Sequence, residues 1–238
     1  RLLGVYRDRL LATTFGAGAS LDVYYAAFRI PDFVFNLLVL GALSAGFIPV
    51  FSHYLKENKE KAWKLAESVL FLLLVSLGLM SLLVYVFAPW IVPLITPGFS
   101  DELMRQTITL TRIMLLSPIL LGVSAVFGGV LQTYKRFLAY SLAPIFYNLG
   151  IIFGIFFFIT PFGIAGLAWG VVLGAGLHLL MQFYIAMKLG WKWTLRDIWQ
   201  KEGLKEIIHL MGPRTLSLVL LQVNLLIITI FASHLAEG

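Results

Sequence analysis

Seven arginines stand apart from the other basic residues of this chain: Arg1, Arg7, Arg9, Arg29, Arg105, Arg112 and Arg214. The remaining eleven, nine of them lysine, are Lys56, Lys59, Lys61, Lys64, Lys135, Arg136, Lys188, Lys192, Arg196, Lys201 and Lys205, all in short polar connections. Arg105 lies near the end of an apolar run, and Arg9 can carry its head outward along its own stem. Arg7, Arg29, Arg112 and Arg214 fall deep inside such runs. A guanidinium stays charged at any ordinary pH, and its planar fork grips phosphate through two parallel hydrogen bonds. The chemistry on offer is anion binding.

The acids at comparable depth are Asp8 and Asp32, with Asp22 and Glu67 near the ends of runs. Counting Arg1 and Arg9 with the deep four, six arginines face two aspartates, and the excess points to a cationic, water-filled cavity. Asp8 follows Arg1 by seven residues and shares its helical face, whereas Arg7 points roughly 100° away. Asp8 is therefore expected to orient Arg1 or an arginine of the second run. Pro31, Pro49, Pro118, Pro144 and Pro213 lie in or at the ends of runs, three of them beside the odd charges. They are expected to break or hinge helices and to expose backbone near the membrane midplane, as transporter sites do.

These residues need helices to hold them. Of 238 residues, 60% are hydrophobic and 13% charged, and mean hydropathy is +0.91. That balance belongs to a polytopic membrane protein. Runs of roughly 20 apolar residues suit membrane-crossing helices, and seven such runs are expected, near 1–15, 22–52, 66–95, 103–133, 138–159, 163–187 and 206–233. The second, fourth and sixth connections hold all eleven clustered cations, which places them in the cytoplasm. If the first hairpin turns between Phe15 and Asp22, Arg7 and Arg29 both lie roughly 11–12 Å below the outer surface at ~1.5 Å per residue. Arg112 and Arg214 share that middle band, where a charge costs on the order of 2.5–3.5 kcal/mol unless it meets a cavity or a partner. Trp191, Leu195 and Ile198 are spaced for an interfacial amphipathic helix. The chain opens on Arg1 and closes soon after a helix, and is read as a piece of a longer one.

Other chemistries find little support. There is no cysteine, so no thiol nucleophile or thiolate metal site. His53, His178, His209 and His234 are dispersed, with no metal-ligand spacing, and His178 alone is deep, where a packing role is expected. No acidic cluster suits Mg²⁺, no P-loop is present, and the net charge of +6 forms no basic stripe for nucleic acid. Gly150–Gly154 and Gly166–Gly170 read as helix packing.

One resemblance covers the whole chain. "RLLGVYRDRLLATTFGAGASLDVYYAAFRIPDF" resembles the opening of the MurJ (MviN) family of lipid II flippases, with its R-D, F-G-A-G and [KR]-[IL]-P elements in order. Family segments are also similar to Ala42–Pro49, Thr96–Phe99, "TRIM" at Thr111–Met114, Leu131–Phe137, Ala143–Asn148, Leu167 onward, Met211–Pro213 and Thr229–Ser233. The resemblance implies an all-α exporter fold of two six-helix bundles, the fold of multidrug, oligosaccharidyl-lipid and polysaccharide exporters. Residues 1–190 would form the first bundle, 191–205 a cytoplasmic amphipathic connection, and 206–238 the first helix of the second bundle. It implies a transporter rather than an enzyme, moving undecaprenyl-pyrophosphate disaccharide pentapeptide between leaflets of the bacterial cytoplasmic membrane by alternating access. The implied partners are the lipid-linked substrate, the bilayer and cell-wall synthesis proteins. The protein is expected to be a monomer with no cofactor beyond a coupling ion or the membrane potential. Arg1 and Arg7 match the family's cavity arginines, and Asp8 and Asp22 its nearby acids. One departure bears on the substrate: where the family has "NLLRRLFAEGA", this chain has "DFVFNLLVLGA", so Phe35–Asn36 replaces an Arg-Arg pair and Leu40 a glutamate. A flippase for another polyprenyl-linked saccharide, or an ion-coupled multidrug exporter on the same fold, are the alternatives.

Overall fold

The computed structural model describes residues 2–16, 18–40, 46–191 and 201–235, without the side chains of 40 and 212–216. Among them every regular element is helical: α1 (Leu2–Phe15), α2 (Ala19–Phe35), a π-helical turn (Asn36–Leu40), α3 (Ile48–Glu57), α4 (Lys59–Ile95), α5 (Asp101–Met114), α6 (Leu116–Thr133), α7 (Phe137–Phe157), α8 (Ile159–Phe162), α9 (Ala165–Lys188) and α10 (Lys201–Ala232). Four stretches are long and apolar enough to cross a membrane: Lys59–Ile95, Asp101–Thr133, Phe137–Phe157 and Ala165–Lys188, with Ser217–Ala232 a shorter apolar helix. The second expected run is divided into α2, the π turn and α3, and α1 has only 14 residues as described.

The ends follow from local chemistry. Asn58 caps α4, its side chain accepting from the amides of Glu60 and Lys61 at 2.8 and 3.2 Å. Lys64 pairs one turn on with Glu60 at 3.1 Å. The stretch 56–64, expected as a connection, is therefore mostly the first turns of α4. Ser100 caps α5, whose first turn holds Asp101 and Glu102. Glu102 accepts from Gln106 and Arg105 at 3.0 and 3.1 Å.

The prolines act less bluntly than expected. Helix α2 runs on through Pro31 and α7 through Pro144. The distortion of the second run comes later, in the π turn, with Pro49 in the first turn of α3. Pro118 lies just beyond the break between α5 and α6 at Leu115, and Pro213 lies within α10.

Helices α7 and α9 approach backbone to backbone. A Cβ on Gly150 would land on Gly174, and one on Gly154 on Gly170. The small-residue spacing is thus used for packing. One core joins α1, α2, α5, α7 and α9 through Leu11, Tyr24, Ala27, Leu110, Met114, Ile151 and Val171. A second, centred on Phe47, Phe51, Trp63 and Phe127, ties α3, α4 and α6 together. Trp191 is 4% exposed and meets the rings of Phe127 and Phe183 at 5.2 and 5.6 Å, so it packs into this core. The rest of the expected interfacial helix, 192–200, lies outside the described residues. Leu79, Leu82, Leu83, Val86, Phe87, Trp90 and Leu94 leave α4 apolar along its outer face, as lipid contact requires.

Candidate anion-binding cleft

Helices α1, α2 and α7 enclose a cleft of about 290 Å³ lined by Arg7, Asp8, Leu11, Tyr24, Tyr25, Phe28, Arg29, Asp32 and Tyr147. On α2 the lining residues Tyr25, Phe28, Arg29 and Asp32 recur at three- and four-residue steps, so one helix face presents them together. Arg7 and Arg29, expected at one depth from opposite sides of the first hairpin, do meet in one cleft. Arg7 donates from Nε and Nη2 to a single oxygen of Asp8, at 2.9 and 2.7 Å. The Nε of Arg29 is buried and has no hydrogen-bond partner. A buried donor left so costs about 1–3 kcal/mol, which an incoming acceptor would recover.

Two further cavities adjoin. One of about 390 Å³ is lined by Asp22, Tyr25, Arg29, Ser100, Thr229 and Ser233 among others, and shares Tyr25 and Arg29 with the cleft. One of about 350 Å³ lies between Phe35, Tyr140, Pro144, Tyr147, His178 and Gln182, and shares Tyr147. Arg29 and Tyr147 are thus the points at which a row of three cavities connects. In the third, Nδ1 of His178 lies 2.7 Å from Oγ of Ser124, the packing role expected of it. No group of metal-ligating side chains occurs among the described residues.

Several expectations need correction. Asp8 pairs with Arg7 and not with a second-helix arginine. The arginine side chain is long enough to swing across the 100° between adjacent helical positions. In the described part of the cleft, two guanidiniums therefore face two carboxylates, and the expected cationic excess is not found there. Arg1 and the side chain of Arg214 lie outside the described residues. Arg112 does not join the cleft. It lines a separate groove of about 620 Å³ with Leu82, Tyr85, Leu116 and Trp169, all of them exposed. There its Nε donates to the Tyr85 carbonyl at 3.1 Å and its guanidinium lies 4.9 Å from the Tyr85 ring. Phe35 lines the third cavity, so the position of the replaced Arg-Arg pair borders the neighbouring chamber. The aromatic wall of Tyr24, Tyr25, Phe28 and Tyr147 was not anticipated. Its one sequence signal was the spacing of Tyr25 and Phe28 with Arg29 and Asp32.

The family model described as "Lipid II flippase MurJ" matches residues 11–238. A probable lipid II flippase MurJ of Buchnera aphidicola subsp. Acyrthosiphon pisum is 33% identical over the whole chain, which spans 48% of that relative. The lipid II flippase MurJ of Burkholderia cenocepacia is 30% identical over the whole chain, again 48% of its own length. The chain thus spans about half the length of the curated relatives it matches. Among solved structures, lipid II flippase MurJ in an inward closed conformation superposes with a TM-score of 0.80 at 27% identity, over the whole chain and 50% of that structure. A MATE transporter crystallised with MaD3S shares the fold, with a TM-score of 0.72 at 21% identity over 92% of the chain and 49% of that structure.

Proposed function

The chain belongs to the lipid II flippase MurJ family, and on that premise we propose that it forms the first bundle of a flippase for lipid-linked peptidoglycan precursor. The polyprenyl tail stays in lipid, while the pyrophosphate passes the cleft between α1 and α2 as the protein alternates its access. The observation that carries this reading is the convergence of Arg7 and Arg29 from neighbouring helices, with the Arg29 Nε buried and lacking an acceptor. Two guanidinium forks at one level match a pyrophosphate, whose oxygens take charge-assisted hydrogen bonds bidentately. The connections near 56–64, 133–137 and 191–205 face the cytoplasm of a bacterial inner membrane on this reading.

Asp8 refines it. In the cleft as it stands Arg7 is neutralised, so an anion must displace or share Asp8, and binding is exchange rather than simple capture. Such a site can release what it binds, as a flippase requires. Phe35–Asn36 in place of the family's Arg-Arg pair favours asking whether the saccharide differs. The test is translocation of labelled lipid II in vesicles holding the full-length protein, beside another undecaprenyl-pyrophosphate saccharide. Transport of lipid II that Arg7→Ala and Arg29→Ala both abolish supports the reading. Transport unaffected by either variant overturns it.

A further inference from the structure

A proline in a helix has no N–H for the carbonyl four residues before it, and in a membrane that carbonyl has no water to turn to. Three prolines here free carbonyls that side chains then take. Pro31 frees Ala27 on α2, and Oγ1 of Thr111 lies 3.4 Å from that oxygen. Pro89 frees Tyr85 on α4, and Nε of Arg112 donates to it at 3.1 Å. Pro118 frees Met114, and Oγ of Ser117 donates to it at 2.7 Å. All three donors lie within seven residues of one another, around the break between α5 and α6 at Leu115. Among the described hydrogen bonds no side chain reaches the carbonyls four residues before Pro93 and Pro144.

Thr111 and Arg112 are consecutive, so their side chains leave α5 about 100° apart. One meets α2 and the other meets α4. Thr111 is fully buried and Ala27 lies in the core, two residues before Arg29. We propose that Thr111 and Arg112 are positioning residues, through which α5 holds the proline bends of α2 and α4 and so sets where Arg29 stands in the cleft. The proposal rests on the anion-site reading for its functional half and on geometry alone for its structural half. It also accounts for Arg112, a charged residue on an apolar groove that the cleft does not use. At 3.4 Å the Thr111 contact is long for a hydroxyl donor, and the apolar packing of Leu110 and Met114 on α2 accompanies it.

The chain has no cysteine, so these 238 residues need no background substitution for spin labelling. Nitroxides on Ser20→Cys in α2 and Leu83→Cys in α4 of the full-length protein report the spacing of the two held helices. The parent should give one narrow distance distribution. Thr111→Val, which keeps the shape and loses the hydroxyl, and Arg112→Met should each broaden or shift it. Thr111→Ser and Arg112→Lys, which restore a donor, should return it. Distributions unchanged in the double variant Thr111→Val/Arg112→Met overturn the proposal. Affinity for undecaprenyl pyrophosphate in detergent is read on the same proteins, with Arg29→Ala beside them. A three- to tenfold loss in Thr111→Val, regained in Thr111→Ser, supports the positioning role. A shifted distance with unchanged affinity, while Arg29→Ala binds poorly, overturns it. Unchanged affinity in Arg29→Ala as well overturns the anion-site reading and leaves the helix coupling standing.

Discussion

Arg7 and Asp8 are neighbours in sequence, yet Arg7 closes on a single carboxylate oxygen of Asp8 through both Nε and Nη2, at 2.9 and 2.7 Å. Their side chains are 25% and 55% exposed, so the pair is partly open to whatever fills the cleft. An adjacent pair of this kind adds little to fold stability, because solvent screens it and both side chains lose freedom. Its consequence is for the ligand. Asp8 occupies the fork that a phosphate would use, and it repels the phosphate as well.

Asp8→Asn should therefore tighten binding of undecaprenyl pyrophosphate, by a few-fold to about tenfold, the upper end being ~1.4 kcal/mol. The measurement is a titration of purified full-length protein at low and moderate salt, with the gain shrinking as salt rises. Weaker binding in Asp8→Asn would show instead that the carboxylate holds Arg7 in its working orientation.

Arg7→Ala should abolish flipping while folded protein remains in the membrane. Arg7→Lys should also fail substantially, because a point charge keeps the sign and loses the two-pronged grip. Both are read as translocation of labelled precursor, with size-exclusion profiles checking the fold. Normal flipping by Arg7→Ala would remove the first helix from the site.

The α7–α9 seam gives a prediction about stability alone. Gly150→Val must push into the Gly174 backbone, which has no flexible end to give. Overpacking of this kind costs typically 1–3 kcal/mol, visible as a lower unfolding temperature or lost expression. Gly78→Ala is the control, since a Cβ there meets nothing within 4 Å. It should be neutral or stabilising by roughly 0.5–1 kcal/mol, the ordinary helical difference between the two residues. Equal behaviour of the two variants would mean the seam is looser than drawn.

Much of this was legible in the sequence because the bilayer imposes long apolar runs and punishes stray charge. The long runs behind α4, α5 with α6, α7 and α9 were marked to within a few residues, save that α4 starts early because Asn58 and Glu60 form a cap that hydropathy does not register. The meeting of Arg7 and Arg29 was also legible, since a hairpin turn fixes the depth of residues equally far from it. The fate of Arg112 was not. Depth is the same for every face of a helix, and which face a residue takes depends on packing that α5 settles against α2 and α4. The arithmetic was nevertheless present in the chain: Pro89 minus four is Tyr85, a freed carbonyl awaiting a donor. Asp8 lines the cleft as expected, and its pairing with Arg7 was missed because helical-wheel angles describe where a Cβ points, and an arginine reaches well beyond its Cβ.

Arg29 carries the last prediction. It lines both the cleft and the 390 Å³ cavity beside it, so a head group moving between them stays within its reach. Its buried Nε lacks a partner, whereas Arg7 already has Asp8. Arg29→Ala should thus weaken pyrophosphate-lipid binding at least as much as Arg7→Ala. Removing one charge-assisted contact costs on the order of 1.5–3 kcal/mol, or roughly 10- to 150-fold in affinity. Asn36 follows Phe35, which borders the adjoining chamber across Tyr147, and Asn36 is half-buried in the π turn. Asn36→Arg in the Arg29→Ala background should restore part of the loss by returning a guanidinium to the position where the family has one. Binding by Arg29→Ala within about twofold of the parent would make Arg29 a packing residue, and the Phe35–Asn36 departure would then signal a different ligand and not a relocated contact. Full loss in Arg29→Ala with no recovery in the double variant would place the whole grip at the level of Arg7 and Arg29, one turn or more from the position the family uses.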